Sequence, residues 1–220
     1  VTHFLLVLSS PSGGGKSTIA RKLVQGRDDV ASSVSATTRP MRPGETDGKD
    51  YHFLSDEEFD RRLESGGFLE WATYDGRRYG TLLSEVQRIF EEGSNVLLDI
   101  EIEGARQVRR QFPDAVTVFV LPPSGAELAA RLRRRDTESE EQVARRLERA
   151  QEELRAAGEY DYVVVNDDLV VAVEQVAAIV EAESLRVPRQ QEFGGLLEQL
   201  QREVAEAQSP ASQQQEETRS

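Results

Sequence analysis

"SSPSGGGKST", residues Ser9–Thr18, follows the apolar run "FLLVL" and precedes the polar–apolar alternation "IARKLV". A glycine-rich turn between a strand and a helix lets successive backbone N–H groups point inward at a helix N-terminus, an arrangement that holds phosphate. In it Lys16 reaches the β and γ phosphates of a nucleotide, and the Ser17 hydroxyl binds Mg2+. The strict pattern G-x-x-x-x-G-K-[ST] asks for glycine at position 10, where this chain has Ser10. A small side chain fits there without strain if φ is negative, with the strained angles left to the glycines that follow.

Working outward, further strand-like runs are "NVLLDI" (Asn95–Ile100), "AVTVFVL" (Ala115–Leu121) and "YDYVVVN" (Tyr160–Asn166), beside His3–Leu8. Their near-continuous apolar character suits strands buried on both faces of a parallel sheet. Helical patterns lie between and after them, at Lys16–Gln25, Leu82–Glu92, Glu103–Gln111, Ser124–Arg135, Glu138–Ala157 and Asp168–Glu183. Capping-box spacing marks the starts at Ser124…Glu127 and Thr137…Glu140. The expected fold is therefore α/β, a parallel sheet flanked by helices. Asp99, at the end of "NVLLDI", falls where a strand delivers a carboxylate beside the loop. It either orders Mg2+ or caps the next turn.

Residues 32–81 break the alternation. Short runs "SVSATTR" and "KDYHF" are joined by a Pro/Gly loop with a "DG" turn signal, then a helix with a Ser55…Glu58 box, then "FLEWATY". This reads as a small mixed-β insert. An arginine-rich joint at about 131–149 suggests a second, helical insert. After Glu183, "VPRQ" breaks the helix; Phe193, Leu196, Leu197, Leu200 and Val204 fall at helical spacing, and "SPASQQQEETRS" reads as disordered. The short amphipathic segment either docks on its own domain, frays, or meets a second copy.

Bulk composition narrows the function. Forty acidic against 27 basic residues give a net charge of −13, which argues against a general nucleic-acid or anionic-membrane surface, so any positive site must be local. The absence of cysteine excludes disulfides, thiolate metal sites and thiol catalysis. "FLLVL" is too short to cross a bilayer. A soluble, cytoplasmic protein is expected, as monomer or homodimer.

Within the insert, Arg39 and Arg42 flank Pro40, Tyr51 follows on a strand, and Tyr79-Gly80 closes the segment. Two guanidiniums and two phenols suit a phosphate monoester, through bidentate charge-assisted bonds plus neutral donors. Taken with the loop at 10–17, the stretches "SATTRPMRPGETDGKDYHF", "FLEWA", "YGT", "LLDI", "RLRRRDTESEEQVARRL" and "VVVNDDL" resemble the guanylate kinase family in order and spacing, over roughly Phe4–Glu183. In that family the first loop glycine is often a small residue.

The resemblance implies a nucleotide-binding domain over 1–184, with core 1–31 and 82–184, a GMP-binding insert at about 32–81, a lid at about 131–149, and an extension at 185–220. It implies ATP as phosphoryl donor with Mg2+, and GMP or dGMP as acceptor. ATP would meet Ser12, Gly13, Gly14, Gly15, Lys16, Ser17 and Thr18, with Asn166 and Arg135 near the adenine. Arg39, Arg42, Tyr51 and Tyr79 would hold the GMP phosphate, while Ser35, Glu70, Thr81, Asp99 and Glu101 would face the nucleoside. A carboxylate at Glu70 can accept from both N1–H and the 2-amino group of guanine. Lys16, Arg131, Arg135 and Arg146 would be catalytic, and Ser17 and Asp99 would hold the metal. The other arginines of the joint, Arg133, Arg134, Arg145 and Arg149, read as a solvated helix face. Where the family has D-x-D-x-Q-G, this chain has "DIEIEG", so Glu101 and Glu103 depart from it.

Overall fold

The computed structural model describes residues 2–74, 76–133, 140–190 and 192–208. In chain order the elements are β1 (Leu5–Ser9), α1 (Lys16–Gly26), β2 (Val30–Ser32), β3 (Ala36–Thr37), β4 (His52–Phe53), α2 (Asp56–Glu64), β5 (Phe68–Tyr74), β6 (Arg77–Leu82) and α3 (Leu83–Glu91). There follow β7 (Asn95–Asp99), α4 (Ile102–Gln111), β8 (Val116–Leu121), α5 (Gly125–Arg133), α6 (Glu140–Arg155), β9 (Tyr162–Val165), α7 (Leu169–Ser184) and α8 (Phe193–Ala207). The chain divides into two compact units, His3–Val180 and a second formed by Val1–Thr2 with Glu181–Ser220.

The first unit holds a five-stranded parallel sheet in the order β2-β7-β1-β8-β9. Period-two side-chain alternation sends neighbouring apolar residues to opposite faces. Leu6, Leu8, Leu97 and Val118 pack against Ile19 and Leu23 of α1 and Val176 of α7. Leu5, Val7, Val96 and Leu98 pack against Val86 and Ile89 of α3 and Val108 of α4. Burial on both faces is why these runs carry almost no polar residue. β9 departs from the expectation: Val164 is buried against α7, but Val163 and Val165 are exposed, because an edge strand needs one covered face only. β2 joins the same sheet although its three residues carry too little pattern to be read as a strand.

The insert forms the four-stranded mixed sheet β4-β3-β6-β5, with β3 and β4 parallel and the other pairs antiparallel. Its small core is an aromatic stack: Phe59 of α2 lies on Phe68 with ring centroids 4.3 Å apart, and on the edge of Trp71. Ser55 accepts from the Glu58 N–H at 3.1 Å, and Ser124 from the Glu127 N–H at 3.1 Å, so both boxes form their caps. Thr137 lies outside the described residues. The free edge of β5 meets α4 through side-chain amides. Gln107 accepts from the Trp71 N–H at 3.1 Å and donates to its carbonyl at 2.8 Å, and Gln111 donates to the Leu69 carbonyl at 2.8 Å.

In the second unit Arg189 and Glu183 form a buried ion pair, and α8 presents Phe193, Leu196, Leu197, Leu200 and Val204 as an exposed apolar stripe. Residues 209–220, expected to be disordered, lie outside the described residues.

Phe59 is fully buried, so Phe59→Ala is expected to cost about 3–5 kcal/mol. Trp71 is the only tryptophan and packs on Phe59, so its fluorescence during urea unfolding reads the loss directly.

Candidate active site

The parallel register sets Leu8 of β1 beside Asp99 of β7, which brings the C-terminal ends of both strands to one edge where the Ser10–Lys16 turn opens. The loop glycines are required for two reasons, backbone conformation and space. Gly13 has φ of +84° and Gly15 +96°, the left-handed region that glycine enters without strain. A Cβ on Gly15 would also lie 2.2 Å from the Asn166 amide nitrogen. Gly14 needs its missing side chain for space alone: a Cβ there would lie 2.7 Å from the Cβ of Ser10. The residue that breaks the strict pattern thus occupies the room that position 14 leaves. Asn166, expected near the adenine, has its amide committed to the loop itself, donating to the Gly14 carbonyl at 2.9 Å.

Lys16 begins α1, and its Nζ lies 2.8 Å from Asp99 Oδ1 and 3.2 Å from Glu101 Oε1. Burial works against the ammonium charge, but the two carboxylates outweigh it and hold the Lys16 pKa above the ordinary lysine value. Glu101 is therefore turned toward the loop lysine. Glu103 points to solvent and pairs with Arg106.

A cleft of about 860 Å³ opens over the loop. Its floor is the loop from Ser10 to Thr18 with Glu101, one wall is Tyr74 of β5, and the other carries Arg131 from α5 with Arg145, Arg146, Arg149 and Glu153 from α6. Arg131 is fixed by Glu127 at 2.8 Å and by the Asn166 carbonyl at 3.1 Å. Arg145 and Arg149 are exposed and Arg149 pairs with Glu153, as a solvated helix face would, and both also line this cleft, a placement that only the fold reveals. Arg133 is exposed, as expected. Arg134 and Arg135, with the rest of 134–139, lie outside the described residues.

The insert brings together a second polar cluster. Arg39 lies 5.3 Å from the Tyr51 ring centre, and Tyr51 meets Tyr79 edge-on at 6.0 Å. Glu45 accepts from both ends of the Arg39 guanidinium, at 3.0 and 2.7 Å, and from the Arg42 N–H at 2.7 Å. Guanidinium offers the same two-pronged geometry to a phosphate. Burial pushes the Tyr51 phenol up, aided by Tyr79, so it stays a neutral donor. Ser35 is half-buried just before β3, and its carbonyl accepts from the His52 N–H at 2.9 Å.

Glu70, 6% exposed, stands opposite Thr81 in the β5–β6 pair and accepts from its hydroxyl at 2.7 Å. A Cβ on Gly104 would lie 2.5 Å from the other Glu70 oxygen, so the last residue of "DIEIEG" makes room for this carboxylate. Burial holds the Glu70 pKa above the ordinary carboxylate value.

Asp99 and the Ser17 hydroxyl supply hard oxygen donors that fit Mg2+, an ion bound through one or two carboxylates together with substrate phosphates. No cluster of three or more His, Cys, Asp or Glu suited to a metal occurs among the described residues, and such an ion needs none.

Residues 3–183 match the family model described as guanylate kinase. The guanylate kinase of Caldanaerobacter subterraneus subsp. tengcongensis is 48% identical over 189 residues, covering 86% of this chain and 92% of that protein. That of Symbiobacterium thermophilum is 51% identical over 185 residues, covering 84% and 88%. The crystal structure of guanylate kinase from Anaplasma phagocytophilum superposes with a TM-score of 0.72 at 33% identity, covering 90% of this chain and 95% of that one.

Two predictions follow from the packing. Gly14→Ala is expected to cost about 1–3 kcal/mol by overpacking, and Ser10→Gly in the same chain to recover most of it, read by chemical denaturation. Because the fold raises the Glu70 pKa, the fold is penalised once Glu70 ionises, and not at pH below the unfolded value of about 4.3. Glu70→Gln should therefore raise Tm near neutral pH, with the gain vanishing toward about pH 4 in a pH series of thermal melts.

Proposed function

The chain belongs to the guanylate kinase family, and from that premise we propose that its cleft transfers the γ-phosphoryl group of ATP to the phosphate of GMP or dGMP, with Mg2+, giving ADP and GDP or dGDP. The observation that carries the reading is that the phosphate loop and the arginines of α5 and α6 line one cleft with the acceptor sheet's Tyr74.

The acceptor is itself a phosphate with a second pKa of about 6, so it is largely ionised at neutral pH and no general base is required. The protein's work is to hold two anions in line and to stabilise the charge that spreads over the transferring group. Arg39, Arg42, Tyr51 and Tyr79 orient the GMP phosphate. Ser12 to Thr18 hold the ATP phosphates, with Lys16 kept fully protonated by its carboxylate neighbours. Arg131 and Arg146 stabilise the transferring group, and Arg135 is assigned with them. Asp99 and Ser17 would hold Mg2+, which would supply charge neutralisation for the ATP phosphates when bound.

Glu70 sets base choice. Its carboxylate accepts from N1–H and the 2-amino group of guanine, with Ser35 and Thr81 beside it. An adenine ring would leave the buried carboxylate facing an acceptor, a mismatch that discriminates strongly. Glu101, drawn to Lys16, contributes through that charge as well as toward the nucleoside. The reaction belongs to purine nucleotide metabolism in the cytoplasm; among the described residues no helix is long and apolar enough to cross a membrane.

The test is a coupled assay of ADP formation with ATP and Mg2+, offering GMP, dGMP, AMP, CMP and UMP in parallel. Turnover confined to GMP and dGMP is expected, abolished in Lys16→Ala and reduced about 10³-fold in kcat in Arg146→Ala. Equal turnover of AMP would overturn the guanine assignment.

A further inference from the structure

Four groups from three elements join in a chain across the cleft. The backbone N–H of Ser12, in the phosphate loop, donates to Glu153 Oε2 at 3.0 Å. The other oxygen of Glu153 accepts from Arg149 Nε at 2.8 Å, one turn earlier on α6. The Arg149 guanidinium lies over the ring of Tyr74, 5.1 Å from its centre, at the end of β5 in the acceptor sheet. Glu153 is 141 residues from Ser12 in sequence, and its side chain is 10% exposed, so both oxygens face fixed partners.

We propose that Tyr74, Arg149 and Glu153 are a positioning relay that ties the acceptor sheet to the phosphate loop through α6, so that ATP and GMP each strengthen the other's binding. The proposal rests on the donor and acceptor assignments above. None of the three side chains is assigned to either substrate. Their geometry explains why they line the cleft: a carboxylate facing an ATP site is repulsive unless it serves another partner, and here it is engaged on both sides. Movement of β5 on acceptor binding changes where Tyr74 receives Arg149. Because Arg149 and Glu153 share one helix face, the change reaches the Ser12 N–H directly. The same helix carries Arg145 and Arg146, so the relay also sets how far those guanidiniums advance over the loop.

Coupling between two sites is reciprocal and typically about 5–150-fold in affinity. The experiment measures GMP affinity by calorimetry with and without a saturating non-hydrolysable ATP analogue and Mg2+, and the analogue's affinity with and without GMP. Wild type should show the same enhancement in both directions. Arg149→Met, which keeps the aliphatic stem, and Tyr74→Leu should bring the enhancement to about one, while Tyr74→Phe, which keeps the ring face, should retain it. Arg149 is about half exposed, so its replacement leaves the fold intact, and a thermal melt verifies this. An enhancement unchanged in Arg149→Met and Tyr74→Leu overturns the relay. So does a wild type that phosphorylates GMP with no enhancement, which leaves the kinase reading standing. A wild type that neither binds nor phosphorylates GMP removes that reading, and the relay with it.

Discussion

The hydrogen bond from the Asn166 amide to the Gly14 carbonyl joins positions 152 residues apart, and it closes the phosphate loop from behind. Asn166 is itself held by its own N–H on the Leu121 carbonyl, at the end of β8, and its carbonyl receives Arg131. The loop's conformation, the last two core strands and the first cleft arginine are thus parts of one bonded unit. Space around the loop is closed in the same way: Leu128 and Leu132 of α5 stand against Gly13, Ser10 against Gly14 and Asn166 against Gly15. A rigid backbone cradle costs no reorganisation when an anion arrives, which is the electrostatic advantage of a preformed site.

Electrostatics in this protein are local and opposed to its bulk charge. A chain with a net charge of −13 concentrates arginines on α5 and α6 around one cleft, and sets two carboxylates against Lys16 of its glycine-rich loop. The carboxylates keep Lys16 charged in a place where burial alone would tend to neutralise it. Glu45 does the corresponding work for Arg39, gripping both ends of its guanidinium and fixing the direction of the fork. In both places the acidic residues order the cations.

Legibility followed the strength of local pattern. The apolar runs of β1, β7 and β8 announced a buried parallel sheet because burial on two faces leaves no room for polar residues. The phosphate loop was equally plain, since backbone geometry dictates its glycines and lysine. Val30–Ser32 and Arg77–Leu82 carry no such signal: the first is too short, and the second mixes charges and glycine because β3 and β5 supply its pairing. Arg149 and Glu153 stand at i, i+4 on α6 and pair there; that Glu153 also reaches Ser12 is information held only by the tertiary fold. Tyr74 and Gly104 were hidden for the same reason, each defined by a neighbour distant in sequence.

The side-chain amides of Gln107 and Gln111 answer the free edge of β5 in the manner of a further strand, pairing with Leu69 and Trp71 where a neighbouring backbone would otherwise sit. An exposed edge with unpaired amides is a template for association with other chains. Here that template is occupied along its buried half by a helix that cannot itself propagate a sheet. The sheet of the insert can therefore remain small and open at its rim, and a chain that reached for this edge would first have to displace two glutamines.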